Sequence, residues 1–305
     1  MYYDIIGLGE IIADITVNSK DQQIARFPGG APLNVIATMA KYNCKTSYIG
    51  KVGNDEDGKY ILDYLKTLNV DSSNIIIDDT RETTKAFVSI DEKGERSFKF
   101  HRDNTADINL TKLEINEKAI KNSKLFHFGA LSLTTKTYEN ATRHALDIAR
   151  ESKCIISFDP NYRESLWKNK KTAIRKIKKV LPHIHILKIC TEEAQLLTNT
   201  SDNISALKTL SKYNIPIILL TDGPRGAMFK VKNFIGNAKA PNVTPVDTTG
   251  AGDIFLGTFL SMIVKYENRI ESINYNTILN YVNKACRQAS LSTLEKGAIT
   301  SIPNL

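Results

Sequence analysis

The stretch "DTTGAGDIF", Asp247 to Phe255, puts two carboxylates and two glycines on the front of an apolar run with helical spacing. Gly250, Ala251 and Gly252 have minimal side chains, so a ligand can approach the backbone closely. Free N–H groups at a helix start, with the aligned peptide dipoles behind them, favour an anion. Asp253 falls at the edge of that anion site, where a second negative charge is unfavourable unless it serves a purpose. Accepting a proton from an attacking hydroxyl is such a purpose. The plainer reading is a glycine turn with an Asp beside a helix start. A second polar cluster is "GGAPLN", Gly29 to Asn34. Its glycines lead into Pro32, favoured in a first helical turn, and Asn34 can both donate and accept hydrogen bonds. Asp14 is polar within the apolar run "IIADITV". Asp14, Gly30 and Asn34 together would suit a polyol; a loop–helix junction and a solvent-facing Asp are the simpler alternatives.

Two other glycine patterns do not hold up. "GLGEII" (Gly7–Ile12) lacks the third glycine of a dinucleotide fingerprint, and a strand follows where the pyrophosphate would need a helix. "GNDEDGKY" (Gly53–Tyr60) nearly matches a phosphate-binding P-loop, but Tyr60 replaces the small hydroxyl residue. Its Asp55, Glu56 and Asp57 would repel a phosphate and suit the acidic first turn of a helix.

These residues need elements to hold them. From about Thr111 the chain alternates strand and helix patterns. Strands are expected at "LFHFGA", "CIISFDP", "HILKIC" and "PIILLTDG", with helices between them and a final helix pair from Asp253 onward. Such alternation predicts an α/β fold, a doubly wound, mostly parallel sheet flanked by helices. A second strand, "IIADITV", directly after "YDIIGLG", and the hairpin "TKAFVSIDEKGERSFKFH" around the turn "DEKG", do not fit that layer. They predict a small β flap. The division is an α/β part at residues 1–9, 34–83 and 111–305, and a flap at 10–33 and 84–110.

The chain has 305 residues and a net charge of +8, much of it in the run Lys168–Lys188. There Ile174, Ile177, Val180 and Leu181 recur at helical spacing, which reads as a solvated basic helix face. No aromatic residues are interleaved for base stacking, so no nucleic-acid partner is expected. Cys44, Cys154, Cys190 and Cys286 are widely separated with no metal-ligand spacing, which suggests thiols in a cytoplasmic protein. The start carries Asp4, Glu10 and Asp14 and no basic leader, and no apolar run reaches membrane-spanning length, so no membrane partner is expected.

Taken together, "GGAPLNVIATMAKYNCKTSYIGKVGNDEDG", "FKFHRDNTAD", "FDPNYRESLW", "TDGPRGA", "DTTGAGDIFLGTF" and "EKGAITSIP" resemble, in order, the blocks of the ribokinase-like (PfkB) sugar kinases, above all the fructokinase branch. The resemblance implies an ATP-dependent kinase whose flap is a lid over the sugar. Asp253 corresponds to the base, and Gly250, Ala251 and Gly252 to the anion hole. Asp14, Gly30 and Asn34 match positions that hold sugar hydroxyls. Arg102 and Arg163 match arginines that reach substrate or phosphate, with ordinary salt bridges as the other reading. Thr221, Gly223 and Gly226, with Lys188, match the nucleotide site. Glu193 matches an acid that meets Mg2+ through water, although Cys190 stands where many relatives have Asn. Asp247, Thr249, Gly297 and Ser301 match a monovalent-cation site, implying K+. Cys286 stands near an adenine-side Asn of relatives. A helix-terminal Asp253 is expected to be a weak base, because the dipole favours its charged form. Fructose is the expected sugar, with 2-keto-3-deoxygluconate or ribose as alternatives; His101 and Arg102 could meet a keto acid. A non-catalytic sugar or nucleoside sensor is the alternative from another class. The exposed edges of a flap call for cover, which suggests a homodimer through the lid.

Overall fold

Short β-branched runs bounded by glycine and polar turns line up as strands, and amphipathic segments between them become the covering helices. The structure is a computed structural model and describes residues 2–17, 22–90 and 96–304. In chain order the elements are β1 (Tyr3–Leu8), β2 (Ile12–Val17), β3 (Gln23–Gly29), α1 (Ala31–Lys41), β4 (Thr46–Gly53), α2 (Glu56–Thr67), β5 (Ile75–Asp78), β6 (Thr84–Ile90), β7 (Arg96–His101) and α3 (Glu117–Lys121). There follow β8 (Ser123–Gly129), α4 (Lys136–Glu151), β9 (Ile155–Asp159), α5 (Lys170–Val180), β10 (Ile186–Cys190), α6 (Thr191–Thr198) and α7 (Asn203–Leu210). The chain closes with β11 (Ile217–Thr221), β12 (Ala227–Val231), β13 (Phe234–Ala238), α8 (Ala251–Ile263) and α9 (Tyr275–Ser292).

The large sheet has the order β13-β12-β11-β10-β9-β8-β1-β4-β5. It is parallel from β11 to β5, with β12 and β13 antiparallel at one edge. Successive side chains on its central strands point to opposite faces. Ile186, Ile217 and Leu219 therefore join a core with α1, α8 and α9, while Leu187, Ile189, Ile218 and Leu220 join a second core with α4 and α5. The fold is the doubly wound α/β arrangement that strand–helix alternation predicts.

The small sheet is built from two separate stretches, in the order β3-β2-β6-β7. β2 and β6 pair in parallel, and each carries an antiparallel partner outside. β6 and β7 are the strands of the expected hairpin; its "DEKG" turn lies outside the described residues. The sequence reading missed β3, β5 and the β12–β13 hairpin, all short or at a sheet edge.

The basic run needs a correction. Lys170–Val180 is a helix with Ala173, Ile177 and Val180 buried, as its spacing indicates, but Lys176 pairs with Glu139 at 2.7 Å. Lys188 is not on that face at all; it is buried within β10. No helix among the described residues is long and apolar enough to cross a membrane. The four cysteines are free.

Candidate active site

Two helix starts converge beyond the carboxyl ends of the parallel strands, where ligands of doubly wound sheets bind. They are held close at a tight contact. A Cβ on Gly257 would lie 2.6 Å from Thr38 Cβ, so α8 and α1 touch backbone to side chain there. One turn nearer each amino end stand Asp253 and Asn34, brought onto a shared face by the helical repeat. Asn34 Nδ2 donates to Asp253 Oδ2 at 2.7 Å in a buried hydrogen bond. Asn34 Oδ1 is buried with no partner among the described residues, an acceptor that a ligand hydroxyl could fill.

The start of α8 is shaped by Gly250, which takes φ 75° and sits against Ala298. The Asp253 amide donates to Gly250 O at 2.9 Å. The Ala251 amide is partly engaged, reaching Thr248 O at a long 3.3 Å. Of the three amides assigned to an anion hole, Ala251's must therefore lengthen or leave that bond to serve. Gly252 lies against the Lys188 ammonium: a Cβ there would be 2.9 Å from Nζ.

Asp253 itself requires a correction. Its pKa is pushed up to about 7, and the largest cause is burial. The Lys188 and Arg163 charges and the Asn34 bond pull it down, while Asp159 pushes it up. A helix dipole offers a charged residue about 0.3–1 kcal/mol. Removing a carboxylate from water outweighs that. Asp253 is consequently a stronger base than its position on a helix suggests.

The remaining predicted residues fall into groups. Asp14, on β2, is half-buried with its carboxyl folded onto Gly29. Burial pushes its pKa to about 7, against the pull of Arg163. Arg163 is exposed and, among the described residues, donates to the carbonyl of Tyr162 at 3.2 Å. Its charge acts on both Asp14 and Asp253. Arg102 is different. It is buried in an ion pair with Asp107 at 2.8 Å and also donates to Thr134 Oγ1 and Leu131 O. Its guanidinium is committed to the protein, so the salt-bridge reading describes it and the substrate-reaching one does not.

Gly30 takes φ 118°, and a side chain there would strike Glu10 O. Glu10 is a residue that sequence reasoning missed. It is 2% exposed, and its Oε1 accepts from Ala31 N at 3.1 Å, capping α1 where Gly30 has no side chain to do so. The signal was available: a helix starting after a glycine lacks its own polar cap. Asp159, at the end of β9, was also missed. It holds Lys188 Nζ at 2.9 Å and the Asn161 amide at 3.2 Å.

Glu193 is buried, and its two oxygens accept from Tyr162 N at 2.5 Å and Cys190 N at 3.0 Å. Burial and the Asp159 charge raise its pKa. Cys190 thus contributes its backbone amide to Glu193 as the cap of α6. Asn161, Arg163, Lys188, Cys190 and Glu193 line a cavity of about 590 Å³. A larger open groove of about 1090 Å³, lined by His183, His185 and Arg269, lies at the opposite strand ends and contains none of these residues.

Thr221 ends β11, and the turn after it carries Gly223 at φ 51°, exposed with nothing within 4 Å of a Cβ. Gly226 takes φ 96°, where a side chain would collide with Ala238 O. Asp247 gathers the last group. Its Oδ1 accepts from Thr249 N and Oγ1, its Oδ2 from Gly297 N at 3.0 Å. Ser301 follows on the same loop, with its hydroxyl donating to Ala298 O. Among the described residues, no three His, Cys, Asp or Glu side chains are grouped to hold a metal by themselves. Cys286 is buried, with its thiol 4.0 Å from Ala238 O.

A glycine-shaped helix start with a buried carboxylate beside it, on a doubly wound sheet with a small second sheet, matches the arrangement of a ribokinase-like small-molecule kinase. The comparisons agree. A fructokinase from Xylella fastidiosa with bound ATP superposes with a TM-score of 0.91 at 25% identity, covering 99% of this chain and 95% of that one. A double-mutant fructokinase from Vibrio cholerae O395, with fructose, ADP and potassium bound, gives 0.90 at 29% identity over 99% and 96%. Probable fructokinase-2 of Arabidopsis thaliana is 33% identical over 98% of this chain and 92% of its own length. The model of the pfkB family of carbohydrate kinases matches residues 1–305, and the chain belongs to that family.

Proposed function

We propose that the chain is an ATP-dependent fructokinase that moves the γ-phosphoryl group of ATP to the terminal hydroxymethyl oxygen of fructose. The observation that carries this is Asp253: a buried carboxylate near pKa 7, oriented by Asn34, at the mouth of the α8 amides. In this reading Asp14, Gly30 and Asn34 hold sugar hydroxyls beneath the small sheet, which acts as the lid. As the new oxygen–phosphorus bond forms, the bond from phosphorus to the bridging oxygen of ADP breaks, and the hydroxyl proton passes to Asp253. The amides of Gly250, Ala251 and Gly252 stabilise charge on the phosphoryl oxygens. Arg163 is free to swing onto the phosphates. Thr221, Gly223 and Gly226 border the nucleotide, where the open space at Gly223 leaves room for it.

The residues fit a water-mediated Mg2+. Each Glu193 oxygen uses one lone pair on an amide, leaving others toward the cavity. Mg2+ characteristically keeps several waters and leans on one or two carboxylates and the nucleotide phosphates. Bound there, it would neutralise phosphate charge. For K+, the oxygens of Asp247, Thr249 and Ser301 and the Gly297 loop supply hard donors.

Fructose is favoured over a keto acid because Arg102, the cation such a substrate would need, is already neutralised by Asp107. The test is a sugar panel with Mg-ATP, followed by ADP release with and without K+. Fructose should give the highest kcat/KM, and K+ should raise it. Turnover on another sugar but none on fructose would overturn the assignment. The reading extends to a cytoplasmic homodimer joined through the small sheet, whose outer strand β3 exposes Ile24. Light scattering should give twice the 34.1 kDa chain mass, and a monomer would remove that part.

A further inference from the structure

The open groove of about 1090 Å³ lies at the amino ends of β9, β10 and β11. Ligands of doubly wound sheets sit at the carboxyl ends, so this groove is a separate feature. Its charged lining is one-sided. Arg150, Lys153 and Arg269 are its cations, and Glu271 is the one acid among the described lining residues. Three positive charges against one negative leave an excess of two. Arg150 is weakly offset by Asp147, at 3.3 Å in an exposed pair. Lys153 and Arg269 are exposed and, among the described residues, have no acidic partner. Two imidazoles stand among these cations. His185 Nδ1 accepts from the Ile156 amide at 3.0 Å. In the neutral ring that places the proton on Nε2, a donor with no partner among the described residues. Burial lowers the pKa of His183, and Arg150 lowers it further against the pull of Asp147. Burial also lowers the pKa of His185, with Glu271 opposing. Both rings are therefore neutral at pH 7, and the groove's positive charge comes from its lysine and arginines.

We propose that this groove is a second ligand site, for a small phosphate monoester whose phosphate is held by Arg150, Lys153 and Arg269 with His185 Nε2–H as a neutral donor. Such a phosphate carries a charge of about −1.5 to −2 at pH 7 and three acceptor oxygens, which matches the excess of two. A single carboxylate would leave one cation unmatched. Guanidinium forks suit phosphate oxygens, and an ammonium adds a compact charge. Small-molecule pockets run to roughly 300–1,000 Å³, so the groove has room for the organic part of the ester as well. Glu271 sets the upper limit on charge. A second phosphate on the ligand would meet its carboxylate, which disfavours polyphosphates and nucleic-acid strands. The site is independent of the kinase reading, because none of its residues belongs to the cluster around Asp253.

The test follows the ring C–H resonances of the five histidines in the full-length protein during titration with fructose 6-phosphate, inorganic phosphate and fructose. Fructose 6-phosphate should move the signals of His183 and His185, assigned through His183→Gln. Fructose, which lacks the phosphate, should move neither. The double variant Lys153→Asn with Arg269→Gln removes two of the cations. Asn tolerates the φ of 58° at position 153, and both side chains are exposed, so the variant should fold and turn over like wild type. Loss of two charge-assisted hydrogen bonds should weaken the ester by roughly 100-fold. Unmoved signals of His183 and His185, or movement confined to the other histidines, would overturn the proposal. So would an affinity unchanged in the double variant, or inorganic phosphate bound as tightly as the ester. None of these outcomes depends on which sugar the active site phosphorylates.

Discussion

Asp253→Asn is expected to lower kcat by about 10²–10⁴-fold, the usual worth of a general base, while sugar binding survives. The amide keeps the carboxylate's shape and can still accept from Asn34 Nδ2, whose present bond to Oδ2 is 2.7 Å. Only proton acceptance is lost. Calorimetry on fructose together with ADP release separates the two effects, and unchanged turnover would remove Asp253 from the role of base. The pH dependence gives an independent check. Asp253 near 7 must be ionised to accept a proton, so wild-type kcat should fall as pH drops below about 7. The variant's kcat should lose that limb. A limb in kcat/KM should persist in both proteins, because Asp14 also titrates near 7 in the free protein.

Stability should move in the opposite direction to activity. The folded-state pKa of Asp253 is raised from 3.8 to about 7, so between those values the native state binds more protons than the unfolded one. Its contribution to stability is therefore greatest at low pH and is lost as pH rises through about 7. Asp253→Asn carries no charge to bury. Its Tm should exceed that of wild type at pH 8, and the difference should close toward pH 4. A variant less stable than wild type at pH 8 would mean that the Lys188 charge depends on Asp253 more than burial penalises it.

Gly250→Ala is the second substitution with a large expected effect. The residue takes φ 75°, a left-handed conformation that costs a residue with a side chain roughly 1–2 kcal/mol. The new methyl carbon would also lie 2.4 Å from Ala298 Cβ. Either the first turn of α8 or the loop around Ala298 must retreat. That loop is tied to Asp247 through Gly297 N, so the two sides do not yield independently. A displacement of about 1 Å at the anion hole is enough to cost on the order of 10²-fold. Gly250→Ala should therefore show a kcat lower by about that factor together with a lower Tm. Turnover close to wild type would show that the hole tolerates movement and does not depend on a placed helix start.

Much of the molecule can be read along the chain because the relevant signals are local. Strand and helix periodicities marked β8 to β11 and α4 to α9. Glycines at positions 250 and 252 marked a helix start open to an anion, and the flap was visible as strand patterns out of step with βα alternation. What escaped was short or paired at an edge, such as β5 and β13, or depended on a distant partner. Glu10 is a single acid between apolar residues, and only the arrival of α1 turns it into a cap. Lys188 falls on an expected strand, but nothing along the chain shows that Asp159 on β9 pairs with it. Arg102 matches a substrate-reaching arginine in pattern, yet Asp107, five residues later, folds back onto it.

The chain by itself determined which residue types could do chemistry: a carboxylate behind two glycines, an Asn on a proline-started helix, and the elements that carry them. Tertiary structure alone decided their strengths. The pKa of Asp253 is near 7 because the fold removes its carboxylate from water. Helix position alone would have made Asp253 a weaker base. Propensity and periodicity act between near neighbours in sequence, whereas desolvation and charge pairing depend on what the fold brings from hundreds of residues away.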